Sequence, residues 1–151
     1  MKNQPLILVV EDDRAIRSLI TTTLDTQGYR YHAVETGAAS ILEAVSQRPD
    51  VMILDLGLPD MDGVDIIRKV REWSNLPIIV VSARSEDQDK IGALDAGAED
   101  VYKRQQIQRP MLLARERRSH QWLRPQAMFR QELRVMLQAT ISRNKRQRIL
   151  H

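Results

Sequence analysis

One stretch, residues 51–63, constrains the fold of this chain more than any other. It begins with the apolar run Val-Met-Ile-Leu, which has the length and composition of a buried strand, and Asp55 stands where that strand ends. Two glycines and a proline in the next eight residues predict a loop. Because ligands in open α/β sheets bind at the carboxyl ends of strands, we predict that Asp55 is the reactive group.

Apolar runs alternate with amphipathic segments along the first two thirds of the chain. The sequence predicts strands at 6–10, 29–34, 51–55, 77–82 and 100–102, and helices at 14–26, from Thr36-Gly37 to Pro49, at 64–73 and at 85–96. This alternation predicts an α/β fold with a doubly wound parallel sheet, and five strands favour the flavodoxin-like order 2-1-3-4-5. Strands 1 and 3 are neighbours in that order. Glu11 and Asp12, which follow strand 1, are therefore predicted beside Asp55.

Three carboxylates that meet without a nearby Lys or Arg repel one another unless one is protonated or a cation lies among them. Oxygen ligands favour Mg2+, completed by waters and a backbone carbonyl. Such a metal also binds substrate phosphate, which makes Asp55 a candidate nucleophile for phosphoryl transfer. Ser82 follows the apolar run of strand 4 and is placed to donate its hydroxyl to a phosphoryl oxygen.

Four motifs in this order resemble the receiver domain of two-component response regulators. They are VVEDD at 9–13, Asp55 with LPDMDG at 58–63, VSAR at 81–84 and AGAED at 96–100. The segments DLGLPD at 55–60, REWS at 71–74 and SARSE at 82–86 are most similar to those of potassium-responsive KdpE-type regulators, which belong to the winged-helix (OmpR/PhoB) transcription-factor class. The resemblance covers about residues 5–100 and implies a CheY-like fold.

The resemblance also implies a role for each matching residue. Asp55 corresponds to the phosphoacceptor, Asp12 to the direct Mg2+ ligand and Glu11 to the acid that reaches the metal through water. Gly57 corresponds to the position that supplies a backbone carbonyl, and Ser82 to the switch hydroxyl. A sensor histidine kinase is the implied phosphoryl donor. Transcription regulation and a homodimer through the family's helix 4, strand 5 and helix 5 are implied as well.

The sequence departs from the family pattern at the fifth strand. The family has Lys followed by Pro four residues after the position of Asp100, whereas this chain has Arg104 followed by Gln105. Lys103 lies one residue earlier, and neighbouring residues of a strand point to opposite faces. Arginine is also larger and planar, so it does not simply replace lysine. Lys103 and Arg104 are therefore alternative candidates for the phosphoryl contact.

The charge of the chain changes sign near Val101. Residues 1–100 hold 10 Lys+Arg and 18 Asp+Glu, whereas residues 101–151 hold 13 and 2. We predict a receiver domain at 1–103 and a basic tail at 104–151, with one amphipathic helix at 128–143 and no recognisable DNA-binding domain. The tail's arginines favour at most non-specific contacts with nucleic acid.

The composition of the chain excludes several classes of protein. The absence of cysteine excludes a disulfide framework and thiol chemistry. The longest apolar runs are far below the ~18 residues of a membrane span, and no signal peptide precedes Glu11. We therefore expect a cytoplasmic protein.

Two alternatives to a working receiver stay open. The abrupt change of composition also fits a truncated or frameshifted receiver that cannot signal. An aspartyl-phosphate phosphatase would need a second Asp two residues after the nucleophile, and Gly57 occupies that position. We therefore expect a phosphoacceptor and not a turnover enzyme.

Overall fold

The computed structural model describes residues 4–82, 92, 95–98, 100–103 and 123–149, without the side chains of 82, 100–103 and 123–129. The predicted helix at 85–96 falls largely outside these residues. The elements in chain order are β1 (Leu6–Val10), α1 (Arg14–Thr26), β2 (Arg30–Val34), α2 (Gly37–Gln47), β3 (Val51–Asp55), α3 (Gly63–Arg71), β4 (Ile78–Ser82), β5 (Asp100–Lys103) and a C-terminal helix (Leu123–Ile149).

All strand pairs in the sheet are parallel, and the strand order is β2-β1-β3-β4-β5. The predicted fold class and strand order are confirmed. The winding direction reverses after β2, so that β1 and β3 become neighbours and their carboxyl ends meet at one edge. Val10 pairs with Leu54, and Asp55 pairs with Val81. This edge carries the residues that follow β1 and β3.

The sheet has a buried core on each face. The α1 face, covered by α1 and the C-terminal helix, buries residues such as Ile7, Val9, Ile53 and Leu137. The α2–α3 face, covered by α2 and α3, buries Leu8, Leu54, Leu56, Ile66 and Ile67. Every residue of β1, β3 and β4 up to Val81 is buried, because both faces of these strands are covered.

The C-terminal helix extends beyond the predicted range of 128–143 at both ends. Its side chains Leu133, Leu137 and Ile141 are buried on the α1 face, and Arg148 lies 3.7 Å from Asp50. The division of the chain into a receiver domain and a basic tail stays a prediction. Within the described residues, no helix has the length and apolar character needed to cross a bilayer.

Helix α2 buries less of its apolar sequence than its composition suggests. Leu42 and Val45 are 68% and 54% exposed, whereas the small side chains of Ser40 and Ala44 are buried. Small residues allow α2 to lie close to the sheet and to the loop that follows β3.

Candidate functional site

Three carboxylates meet at the carboxyl edge of the sheet, as the strand order predicts. Carboxylate oxygens of Glu11, Asp12 and Asp55 all lie within 4.8 Å of one another. Glu11 and Asp55 are only 1% and 2% exposed, whereas Asp12 is exposed to solvent. The cluster is therefore buried on one side and open on the other.

Hydrogen bonds hold the loop between β1 and α1 in place. The Asp13 amide donates to Glu11 Oε1 at 3.0 Å, and Asp13 in turn caps α1 by accepting from the Ile16 amide at 3.0 Å. These bonds fix the backbone on both sides of Asp12. The acidic run after β1 is thus partly a helix cap and partly a component of the carboxylate cluster.

Sequence reasoning missed Arg17, which lies one turn into α1. Its guanidinium donates to the backbone carbonyls of Glu11 and Asp12 at 3.0 and 3.2 Å, and it pairs with Glu35 at 3.1 Å. These contacts bring a cation to the backbone of the acidic loop. Arg17 follows Asp13 by four residues, and in a helix this spacing places the two side chains on the same side. That spacing is the sequence signal from which the contact with the loop could have been predicted.

The loop after β3 folds tightly around Asp55. The Gly57 amide donates to Asp55 Oδ1 at 3.2 Å, and the Gly63 amide donates to the Leu56 carbonyl at 3.1 Å. A Cβ at Gly63 would lie 2.6 Å from Leu56 Cα and 3.1 Å from the Asp55 carbonyl oxygen. Only glycine at residue 63 allows α3 to begin this close to the end of β3.

Asp60 and Asp62 both accept hydrogen bonds from amides at the start of a helix. Asp62 caps α3 by accepting from the Val64 amide at 3.0 Å. Asp60 accepts from the Gly37 and Ala38 amides of α2 at 2.8 and 3.0 Å. Bonds from the Ala38 and Gly37 amides hold the pKa of the Asp60 carboxyl below its ordinary value.

The backbones of Ser82 and Lys103 lie at the same edge as Asp55. Ser82 is the last residue of β4 and pairs with Lys103, the last residue of β5. Val81, the residue before Ser82, pairs with Asp55. The side chains of Ser82 and Lys103, and the whole of Arg104, lie outside the described residues. Their predicted contacts with a phosphoryl group stay predictions.

The donor set of the cluster fits a hard divalent cation. All three side chains offer oxygen, which Mg2+ prefers, and their oxygens are close enough for one ion to contact several of them. The exposed side of the cluster leaves room for the waters that Mg2+ retains. Glu11, Asp12, Asp55 and the backbone carbonyl of Gly57 are the residues that would hold it.

A large cavity lies at the opposite edge of the sheet. It has a volume of about 1060 Å³ and is lined by residues such as Asp50, Trp73 and Pro77, which precede β3 and β4, and by Arg148. None of the three clustered carboxylates lines this cavity. We place the candidate site at the carboxylate edge, because the three side chains that could hold a cation converge there.

Comparison with known proteins places these features in a family context. The model of the response regulator receiver domain family matches residues 7–114. The KDP operon transcriptional regulatory protein KdpE of Escherichia coli strain K12 is 54% identical over 94 residues, which are 62% of this chain and 42% of that protein. The chain thus matches less than half the length of this relative. The resemblance to KdpE-type regulators is confirmed.

Solved structures show the same fold. The signal receiver domain of a protein described as a Luxo repressor from Vibrio parahaemolyticus has a TM-score of 0.75 at 21% identity, with 98% of both chains covered. The Mn(2+)-bound form of response regulator Rcp1 has a TM-score of 0.62 at 20% identity, with 66% of this chain and 81% of that chain covered.

Proposed function

Because this chain belongs to the response regulator receiver domain family, we propose that it accepts a phosphoryl group on Asp55 in a Mg2+-dependent reaction. The observation that carries the proposal is the convergence of Asp55 with Glu11 and Asp12 within 4.8 Å. A buried carboxylate beside two others has no packing role, and it is the arrangement that metal-assisted phosphoryl transfer requires.

The proposed step is a displacement at phosphorus. A carboxylate oxygen of Asp55 attacks the phosphorus atom of a phosphohistidine on a sensor histidine kinase. The P–N bond breaks, its electron pair leaves with the imidazole nitrogen, and an acyl phosphate forms on Asp55. When bound at the cluster, Mg2+ would supply positive charge for the phosphoryl oxygens. Asp12 would be its direct ligand, Glu11 would reach it through water, and Asp55 and the Gly57 carbonyl would complete the protein's donors.

The surroundings of Asp55 support its role as the nucleophile. The Gly57 amide fixes the carboxylate by a 3.2 Å hydrogen bond to Oδ1. The 2% exposure of Asp55 keeps bulk water away, whereas the exposed Asp12 marks the side from which a phosphodonor can approach. The response regulator Rcp1, whose structure has the same fold, is described in a Mn(2+)-bound form, and Mn2+ shares the preference of Mg2+ for oxygen ligands.

We propose that residues at the same edge of the sheet respond to phosphorylation. The Ser82 hydroxyl is the proposed switch group, and Lys103 or Arg104 provides the contact to the phosphoryl group. The output is transcription regulation, as the name of the KdpE relative indicates for that protein, with a homodimer through the family's helix 4, strand 5 and helix 5. The receiver domain spans 1–103, and the arginines of the basic tail at 104–151 make at most non-specific contacts with nucleic acid. The cytoplasm, where a kinase domain would meet it, is the proposed location.

We propose that the protein is a phosphoacceptor that assists its own phosphorylation and dephosphorylation, and not a turnover enzyme. Gly57 stands where an aspartyl-phosphate phosphatase needs a second Asp. The Arg104-Gln105 sequence at the fifth strand favours one rival reading, a receiver that is folded but cannot signal. The following experiment separates the two.

The full chain is incubated with acetyl phosphate and Mg2+, and its intact mass is measured. We expect wild type to gain one phosphoryl group and Asp55→Ala to gain none. Asp65→Ala is the matched control, because Asp65 is an exposed carboxylate in the first turn of α3, and it should be phosphorylated like wild type. Omission of Mg2+ should prevent the gain. A folded wild-type protein that gains nothing, or a phosphorylated Asp55→Ala variant, contradicts the proposal.

A further inference from the structure

The loop between β3 and α3 is tied to the start of α2 by a side chain remote in sequence. Asp60 Oδ1 accepts from the Gly37 amide at 2.8 Å, and Oδ2 accepts from the Ala38 amide at 3.0 Å. These amides belong to the first two residues of α2 and lie 23 and 22 residues before Asp60. These two hydrogen bonds join the β3–α3 loop to α2, and strand pairing in the sheet does not make that connection.

The start of α2 needs such an acceptor. The first amides of a helix have no partner within the helix, and a carboxylate there also interacts favourably with the helix dipole. Thr36 accepts from the Ala39 amide at 3.2 Å, so Thr36 and Asp60 share the first three amides between them. The lowered pKa of Asp60 agrees with an ionised carboxylate in this position.

Met61, the next residue of the loop, packs against the same point of α2. A Cβ added to Gly37 would overlap Met61 Cγ and would lie 2.8 Å from Met61 Sδ and 3.0 Å from Ile66 Cδ1. Met61 therefore occupies the space that a side chain at residue 37 would fill. Hydrogen bonds at Asp60 and packing at Met61 fix the same end of the loop independently.

The other end of the loop is fixed at Asp55. The Gly57 amide is bonded to Asp55 Oδ1, which leaves Gly57, Leu58 and Pro59 between two anchored points. Proline has a fixed φ angle, but glycine has more backbone freedom than any other residue. The direction of the Gly57 carbonyl therefore depends on both anchors, and loss of the Asp60 hydrogen bonds would leave only the packing of Met61 at one of them.

We propose that Asp60 is a positioning residue for the magnesium site, which holds the Gly57 carbonyl in place by tying the loop to α2. The inference rests on the proposed function, because that carbonyl is a proposed Mg2+ donor. It assigns to Asp60 a role beyond that of a helix cap. A cap that only stabilises α2 would change the melting temperature and leave the Mg2+ affinity unchanged.

The test compares Asp60→Ala with Thr36→Ala, which removes a hydrogen bond from the same end of α2, one that Thr36 makes with Ala39 of the helix itself. Mg2+ binding to the full chain is measured by calorimetry, with magnesium chloride as the probe, and by the rise in melting temperature with Mg2+. Loss of residues that support metal ligands typically lowers affinity 10–100-fold, so we expect about a tenfold weaker affinity in Asp60→Ala. Thr36→Ala should lower the melting temperature and bind Mg2+ like wild type.

Two further variants keep the test decisive if Asp60→Ala folds poorly. Gly37→Ala leaves the Asp60 carboxylate in place but displaces Met61, and we expect it to weaken Mg2+ binding as well. Asp60→Asn retains one acceptor oxygen and should recover part of the affinity. The rate of phosphorylation by acetyl phosphate at saturating Mg2+ should return close to the wild-type rate in each variant.

Equal Mg2+ affinity in Asp60→Ala and wild type would overturn the inference, as would an equal loss of affinity in Thr36→Ala. A wild-type protein that binds Mg2+ but is not phosphorylated would contradict the proposed function and leave the positioning role intact. A wild-type protein that binds no Mg2+ would overturn both.

Discussion

The two faces of the sheet are built from different parts of the chain. The α2–α3 face is covered by α2 and α3, which lie between residues 37 and 71 in the acidic part of the sequence. The α1 face is covered by α1 and by the C-terminal helix, which begins at Leu123 in the basic part. The β3–α3 loop beside Asp55 packs into the α2–α3 face through Leu56 and Met61.

We therefore expect changes on the α1 face to affect mainly the free energy of unfolding, and changes on the α2–α3 face to affect the geometry of the site as well. A change in the C-terminal helix alters the burial of side chains on the α1 face. The residues that hold the β3–α3 loop are not part of that face. A change where α2 and α3 begin alters the loop that follows Asp55. Four substitutions test this separation, and they follow from the largest expected effect on the free energy of unfolding to the smallest.

Leu137→Ala should destabilise the protein most, because Leu137 is fully buried on the α1 face. A buried Leu→Ala change costs about 2–5 kcal/mol, a large part of the total stability of a domain. Val135→Ala is the control on the same helix, since Val135 is 58% exposed and should change stability by less than about 0.5 kcal/mol. Denaturant unfolding measures both. Equal effects would mean that the C-terminal helix is not part of the core.

Gly63→Ala should strain the start of α3 and the end of β3 together. The added Cβ would lie 2.6 Å from Leu56 Cα, so the backbone must shift at a cost of about 1–3 kcal/mol. We expect the rate of phosphorylation by acetyl phosphate to fall as well. Gly92→Ala is the matched control, because its Cβ would meet nothing within 4 Å. A Gly63→Ala protein with wild-type stability and phosphorylation rate would contradict the close approach.

Arg148→Ala should have a small effect. Arg148 lies 3.7 Å from Asp50, but the Arg148 side chain is 69% exposed, and such pairs contribute about 0–1 kcal/mol. Salt screens exposed pairs, so the difference from wild type should vanish in high salt. A loss as large as that of Leu137→Ala would show that the ion pair, and not apolar burial, attaches the C-terminal helix.

The pH dependence of Asp60→Asn should be the smallest stability effect. Amide hydrogen bonds lower the pKa of Asp60 in the folded state below the ordinary value of 3.8. Its stabilising contribution is therefore fully present above that ordinary value and is lost as the pH falls through the folded pKa. The melting temperature of wild type should exceed that of Asp60→Asn at neutral pH, and the difference should shrink below about pH 4. A difference that stays constant with pH would contradict the hydrogen bonds to α2.

Periodicity was sufficient to predict the strand order and the meeting of Glu11, Asp12 and Asp55. Both follow from apolar runs and from the topology of parallel sheets. The partners of Asp60 were not predicted, because a hydrogen bond across 22 or 23 residues leaves no periodic signal. The role of Arg17 was not predicted because its acceptors are backbone carbonyls. Every residue has such a carbonyl, so the sequence does not show which ones accept.

The ends of the C-terminal helix were also beyond prediction. The predicted range stopped at residue 143 because the next five residues, at 144–148, are polar and do not continue the apolar period. The helix nevertheless continues to Ile149, and its last turn contains Arg146 and Arg148. Cations near the carboxyl end of a helix are favourable, which explains continuation without burial.

The most direct test of the account is to locate the phosphoryl group chemically. The full chain is incubated with acetyl phosphate and Mg2+ and then treated with borohydride, which reduces an acyl phosphate to an alcohol and so converts phosphorylated Asp to homoserine. Peptide mass spectrometry then identifies the converted residue. The account predicts homoserine at position 55, only when both Mg2+ and acetyl phosphate are present. Homoserine at another aspartate, or at none in a folded protein, would contradict it.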